Sequence, residues 1–154
     1  MRDFKEEKTV KIRVGELADY SACLPLFSLL YHGDIGADFK HTFEEFVENE
    51  DGVVLLAERS GKVVGVLVGS YHLDIDWEGQ IGKIDAVIIE DAHRKRGLGR
   101  ALVRHFVATA RKKRCKAIKS RVNRENAIAQ RFHESLGFAQ ANTFEYYLDL
   151  VQIL

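Results

Sequence analysis

A chain of 154 residues, 46% hydrophobic and 30% charged, suffices for one domain with a sizeable core and is too short for two ordinary ones. Its net charge is zero, residues 1–11 are strongly charged, and the nearby uncharged window 20–33 is too short to cross a bilayer and lacks signal-peptide flanks; a soluble, cytoplasmic protein with no membrane partner is expected. Two distant cysteines, Cys23 and Cys115, without His or Cys at ligand spacing, indicate neither a disulfide framework nor a metal site.

In chain order, residues 10–14 alternate as a half-buried strand, and Asp19 stands as N-cap before a helix with Ala22, Leu26, Leu29 and Leu30 on its apolar face. Pro25 is tolerated if that helix begins there or kinks. A second helix is predicted after Thr42, with Phe43, Phe46 and Val47 on one face and Glu45 at the capping-box position. Residues 53–59 and 63–70, apolar on both faces and joined by Ser60-Gly61-Lys62, predict a hairpin of central strands. A polar loop holding Asp74, Asp76, Trp77 and Glu78 leads to a strand over 81–89. The stretch 92–101, AHRKRGLGRA, follows at once and runs into a helical stripe of Leu98, Leu102, Val103, Phe106, Val107 and Ala110.

A further strand is predicted over 116–122. Asn126 then caps a helix with Ile128, Ala129 and Phe132 on its apolar face, Gly137 ends it, and residues 143–150 close the chain as a strand. There is no internal repeat and no linker, so residues 1–154 are expected to form a single domain, with its core over about 10–150. The order β-α-α-β-β-β-α-β-α-β implies an α/β sandwich of mixed strand direction.

Charge is segregated along this order. Residues 1–92 carry 9 Lys/Arg against 19 Asp/Glu, residues 93–124 carry 13 against none, and residues 125–154 carry 1 against 4. Thirty-two residues without a carboxylate set up a positive field suited to phosphate. Within it, 111–114 (RKKR) is a solvated helix end whose cations suit the dipole. AHRKRGLGRA is different, because it joins a strand to a helix N-terminus. There the N–H groups lack helical partners, and Gly97 and Gly99 let an anion approach the backbone beside Arg94, Lys95, Arg96 and Arg100. A P-loop would need Gly-Lys-Ser/Thr after four residues, and a dinucleotide loop a glycine at position 102, which is leucine; both are excluded.

Arg94-x-x-Gly97-x-Gly99 after an apolar strand, followed by Asn126-x-x-Ala129-x-x-x-His133-x-x-x-Gly137-Phe138, resembles the GNAT superfamily of acyl-CoA-dependent N-acetyltransferases, over about residues 10–150. The resemblance implies an α/β (α+β) fold with a mixed, mostly antiparallel central sheet and helices on both faces, in which two parallel strands splay apart to admit the cofactor. Acetyl-CoA is the implied co-substrate. Backbone N–H groups from Lys95 through Arg96, Gly97, Leu98 and Gly99 to Arg100 would hold its pyrophosphate. The strand end Val87, Ile88 and Ile89 would pair with the pantetheine arm, the Ile89 N–H polarising the thioester carbonyl. Asn126 matches a cofactor-contacting asparagine and is equally natural as a helix cap.

Acyl transfer to an amine needs a group to take the amine's proton and a donor for the leaving thiolate. The family usually places tyrosine where this chain has His133, which could serve as that acid or be purely structural. Asp85 stands where some polyamine-acetylating relatives carry a glutamate; with period two it would share a face with Val87 and Ile89 and could act as base. Arg121 occupies the position where N-terminal-peptide acetyltransferases often carry a catalytic glutamate. The family points to residues 31–39 and 72–78 for the acceptor, an unidentified amine of a small molecule or peptide, with carboxylates and aromatics there suited to a cation. The short stretch between Phe138 and the last strand implies either a very short penultimate strand or a sheet edge completed in a homodimer.

Two other function classes use the same residues. One is an acyl-CoA sensor without turnover. The other is a nucleic-acid-binding protein using 93–124, which the apolar helical stripe and the lack of interleaved aromatics disfavour, so no nucleic-acid partner is expected.

Overall fold

The computed structural model describes residues 10–152, which divide into two compact units at Arg121. In the first unit, β1 (Val10–Val14), β2 (Gly52–Arg59), β3 (Lys62–Asp74), β4 (Gly79–Ile89) and β5 (Ile118–Ser120) form one sheet in that spatial order. All neighbours are antiparallel except β4 and β5. The mixed, mostly antiparallel α/β architecture is thus as expected. The β2–β3 turn is built on Ser60 and Gly61, both with positive φ (52° and 75°), as a two-residue turn matched to strand twist requires.

Helices α1 (Tyr20–Leu30) and α2 (Phe39–Glu48) cover one face of the sheet. Cys23, Leu26, Phe27 and Phe43 pack there with Val54, Leu56, Val66, Val68 and Ile88. Burial pushes the Cys23 thiol up to about 12, so it is an inert packing group. Helix α3 (Leu98–Lys112) covers the opposite face with Leu102, Val103, Phe106 and Ala110, all buried. Phe106 lies so close to the sheet that a Cβ at Gly69 or Gly82 would stand 2.8 or 2.9 Å from its ring. Only glycine admits that approach. Tyr71 stacks on the same ring at 5.0 Å between centroids.

Several local features differ from expectation, among them the strand expected over 116–122, which pairs only over Ile118–Ser120. Helix α2 begins a turn early, at Phe39, because that ring packs on Phe27 (4.9 Å) and Tyr31 (5.6 Å). Thr42 is therefore interior, its hydroxyl donating to Asp38 O, and Glu45 pairs with His41 rather than closing a capping box. Asp19 does precede α1, but its carboxylate accepts from Arg13 and the Glu16 N–H instead of capping the helix. Pro25 is the sixth residue of α1, where it removes one backbone donor from an otherwise continuous helix. The loop expected around Asp74 shrinks to 75–78, since Asp74 ends β3 and its carboxylate accepts from the Asp76 and Trp77 N–H groups.

The second unit holds α4 (Ala127–Ser135), capped as expected by the Asn126 side chain accepting from the Ala129 N–H at 3.0 Å. Its end is a paired glycine motif: Gly137 (φ 92°) donates to Glu134 O and Phe138 to His133 O. The strand predicted over 143–150 does not form. That segment joins no ladder among the described residues, and Phe144, Tyr146, Tyr147, Leu148 and Leu150 are exposed. Alternation marks a segment able to pair, but a strand also needs a partner edge.

Candidate active site

The parallel β4–β5 pair covers three residues only, Gly82–Ile84 against Ile118–Ser120. It stops where β4 bulges: Val68 faces Ala86 and Gly69 faces Ile84, so Asp85 is the extra, unpaired residue. Beyond the bulge β4 runs on to Ile89, while its β5-facing edge has no strand partner among the described residues. The Glu90 N–H donates to Val64 O across β3, so strand alternation turns the N–H and C=O groups of Val87 and Ile89 to that open edge. Ile88 is the exception among the three expected contacts, with its backbone turned to β3 and its side chain in the core.

The bulge also resets the side chains. Asp85 does not share a face with Val87 and Ile89, as period two predicts. It stands with Ala86 on the α1/α2 side, whereas Val87 and Ile89 lie across from Leu67 and Gly65.

The loop after β4 makes a single 3₁₀ turn (Asp91–His93) and enters α3 through two left-handed residues, Lys95 (φ 60°) and Gly97 (φ 78°). Such turns gather successive N–H groups into a concavity that holds anions. The first helical bond runs from the Ala101 N–H to Gly97 O, so the Leu98 and Gly99 N–H groups stand ahead of the ladder at the positive end of the dipole. Arg94 latches the loop rather than reaching outward: Nη2 lies 3.0 Å from Asp91 Oδ1, and Nε donates to Ile89 O at 3.3 Å. Lys95 and Arg96 are exposed around it. An open strand edge leading straight into an anion-binding helix start fits an extended, amide-bearing chain ending in a pyrophosphate, which is the chemical outline of coenzyme A.

Beside Asp85, a cavity of about 200 Å³ opens between α1, α2 and the sheet. Its walls are mainly aromatic, with Phe27, Tyr31, Phe39, Phe43 and Phe46, and Asp85 is the only ionisable carboxylate lining it. Lys83 Nζ lies 3.2 Å from Asp85 Oδ1. Of the acceptor segments expected from sequence, 31–39 contributes Tyr31 and Phe39 and 72–78 contributes none of the lining. Asp74 is held instead by Lys119 at 2.6 Å, which together with the turn N–H groups keeps its carboxyl below the usual range. Sequence reasoning missed the cavity walls because Phe27, Phe43 and Phe46 carry only the pattern of a core.

In the second unit, His133 is held in one orientation. Its Nδ1–H donates to Ala129 O at 2.7 Å, because a carbonyl can only accept. Phe132 and Phe138 stand edge-on to the ring, at 5.5 and 5.2 Å. Thus the open edge of β4 at Val87 and Ile89 runs into the glycine loop at 94–100, Asp85 stands at the bulge on the α1/α2 side, and in the second unit Asn126 caps the helix that carries His133.

Residues 20–138 match the model of the acetyltransferase (GNAT) family. A mycothiol acetyltransferase of Thermobispora bispora is 35% identical over 86 residues, covering 55% of this chain and 29% of that protein, so the match spans under a third of the relative's length. Among solved structures, the aminoglycoside N-acetyltransferase AAC(6')-Iy in complex with CoA superposes with a TM-score of 0.83, at 19% identity over 92% of this chain and 95% of that one. Ribosomal-protein-alanine N-acetyltransferase from Brucella melitensis biovar Abortus 2308 superposes with a TM-score of 0.75, at 18% identity over 92% and 100%. At these identities the structures share the fold. No helix among the described residues is long and apolar enough to cross a membrane, and no group of metal-ligating side chains occurs among them.

Proposed function

This chain belongs to the acetyltransferase (GNAT) family, and from that premise we propose that it transfers an acetyl group from acetyl-CoA directly to a primary amine. The observation that carries the reading is the open edge of β4 at Val87 and Ile89 running into the left-handed turns at Lys95 and Gly97. Bound acetyl-CoA supplies the acetyl group as a thioester. The N–H groups of Lys95 to Arg100 hold the pyrophosphate, and the Ile89 N–H donates to the thioester carbonyl, where negative charge grows as nitrogen attacks. Asn126 serves the cofactor-contacting role alongside its capping bond.

Asp85 takes the proton that the amine must lose, directly or through water. The C–N bond forms as the C–S bond breaks, and His133, fixed by its Nδ1 bond, delivers a proton from Nε2 to the departing thiolate. The family resemblance supports both assignments, the bulge supports Asp85 and the ring's fixed orientation supports His133. A peptide acceptor stays less favoured, since Arg121 replaces the glutamate of the N-terminal-peptide enzymes.

Acetyl-CoA should raise the melting temperature and bind with Kd better than about 1 mM, the ~4 kcal/mol that phosphate and pantetheine contacts should exceed. Asp85→Asn and His133→Phe should each cut kcat at saturating acetyl-CoA by about 100-fold, within the usual range for losing an acid or base. Absence of acetyl-CoA binding would overturn the assignment, and binding without turnover of any amine would make the protein an acyl-CoA sensor. An unchanged kcat in His133→Phe would make that ring structural.

A further inference from the structure

Resting on the acetyl-transfer reading above, we propose that the acceptor is a monoamine on an apolar stem, an aryl or alkyl chain ending in a primary amine, and that the aromatic cavity beside Asp85 receives the stem. The cavity runs from the core to a half-open mouth: Phe27 and Phe43 form its buried floor, whereas Tyr31, Thr42 and Asp85 are exposed. Phe27 and Phe43 are 2% and 4% exposed and belong to the α1/α2 cluster. Phe27 meets Phe39 edge-on at 4.9 Å and Phe43 at 6.1 Å, and Tyr31 meets Phe39 at 5.6 Å, so the rings brace one another around the space. Proteins fill such spaces unless something else does, because interiors pack to the density of organic crystals. A void of about 150 Å³ with apolar walls admits a benzene ring. The volume here, about 200 Å³, takes a ring with a short chain.

The polar groups limit the charge of the guest. Asp85 is the one carboxylate in the lining, and Lys83 already stands 3.2 Å from it. A single ammonium placed at Asp85 shares that carboxylate, in a cavity that the Tyr31 and Phe39 rings also line. A second ammonium, as in a polyamine, would sit unpaired among phenyl rings. The many hydroxyls of an amino sugar would find few partners, since only the Tyr31 and Thr42 hydroxyls and Asp85 offer polar side chains here and the Thr42 proton is already donated to Asp38 O. The acidic turn at 75–78 offers no alternative for a polycation at this cavity, because it supplies no lining residue and Asp74 is engaged by Lys119. The apolar walls also favour the neutral amine over its ammonium, lowering the cost of the proton transfer to Asp85 that must precede attack.

Acetyl-CoA thiol release is measured with 2-phenylethylamine, hexylamine, methylamine, spermidine and an aminoglycoside, and 2-phenylethylamine binding is titrated separately by calorimetry. Burying a ring or a hexyl chain should raise kcat/KM by about 100-fold over methylamine. Spermidine and the aminoglycoside should rank below both apolar amines. Equal or better turnover of methylamine, spermidine or the aminoglycoside overturns the proposal while leaving acetyl transfer intact. Binding of 2-phenylethylamine with no acetylation of any amine keeps the cavity's preference and overturns the transfer reading. Ala86→Leu fills the cavity and should abolish the advantage of 2-phenylethylamine over methylamine without weakening acetyl-CoA binding. Tyr31→Ala, at the half-exposed rim, should lower kcat/KM for 2-phenylethylamine by about threefold, its melting temperature being measured alongside because the ring also packs on Phe39. If neither variant changes the ratio of the two amines, the stem does not lie in this cavity.

Discussion

The two faces of the sheet are packed by different rules. Against α3, Phe106 approaches Gly69 and Gly82 so closely that no β-carbon fits, and Tyr71 stacks on the remaining side of its ring. Against α1 and α2, five aromatic rings stand around a space they do not fill. Both faces draw on β3 and β4. What separates them is one residue: the bulge at Asp85 brings a carboxylate to the hollow face and ends the β4–β5 pairing on the same spot. A single backbone irregularity thus opens the strand edge proposed for the cofactor and places the acid proposed for the amine. The solid face gives that irregularity a fixed support.

The largest effect that would test this contrast is removal of the solid face's central ring. Phe106→Ala should cost about 4 kcal/mol in urea unfolding, since Phe106 is fully buried and its neighbours are backbone and ring atoms that cannot close the gap. Smaller, and sharper as a comparison, is the addition of carbon to each face. Gly69→Ala places a Cβ 2.5 Å from Lys83 O as well as against Phe106, so strand and helix must both shift, at about 2 kcal/mol. Ala86→Val adds carbon on the hollow face and should change stability by less than about 0.5 kcal/mol, because space already exists there. Equal losses from Gly69→Ala and Ala86→Val would mean that the cavity closes in solution.

Much of this arrangement was legible in the sequence, for local reasons. Ser60-Gly61 between apolar runs, Gly97 ahead of α3, and Asn126 with Gly137 each prescribe a backbone geometry within a few residues, and each is found as expected, whereas Gly99 is an ordinary helical residue. The bulge was not legible. Residues 84–89 alternate no differently with or without it, and its position depends on Gly69 across the ladder and on where β5 stops. Period two therefore put Asp85 on the wrong face. The start of α2 depends likewise on ring contacts with α1, and the absent strand over 143–150 on a partner edge that no single segment encodes. The cavity was hidden because a wall and a filled core use the same residues.

Away from both faces, at the β1 side of the sheet, Arg13 joins Asp19 (2.7 Å) and Glu58 (2.8 Å), tying β1 to β2 and to the start of α1. This network should show a smaller effect than either substitution on the solid face, and one that depends on pH. The Arg13 guanidinium holds the Asp19 carboxyl below its ordinary value, helped by the Glu16 N–H. A carboxyl with a depressed folded-state pKa stabilises the fold above its unfolded value of about 3.9 and loses that contribution as pH falls through the folded value. Asp19→Asn keeps an oxygen to accept from the Glu16 N–H and removes the charge. At pH 7 the variant should be less stable by about 1 kcal/mol, a modest figure because the pair is partly exposed to solvent. In urea titrations at successive pH values, that gap should close as pH drops below 4, while Phe106→Ala keeps its full deficit. A gap that persists unchanged into acid would show that Asp19 acts through shape and hydrogen bonding rather than through charge.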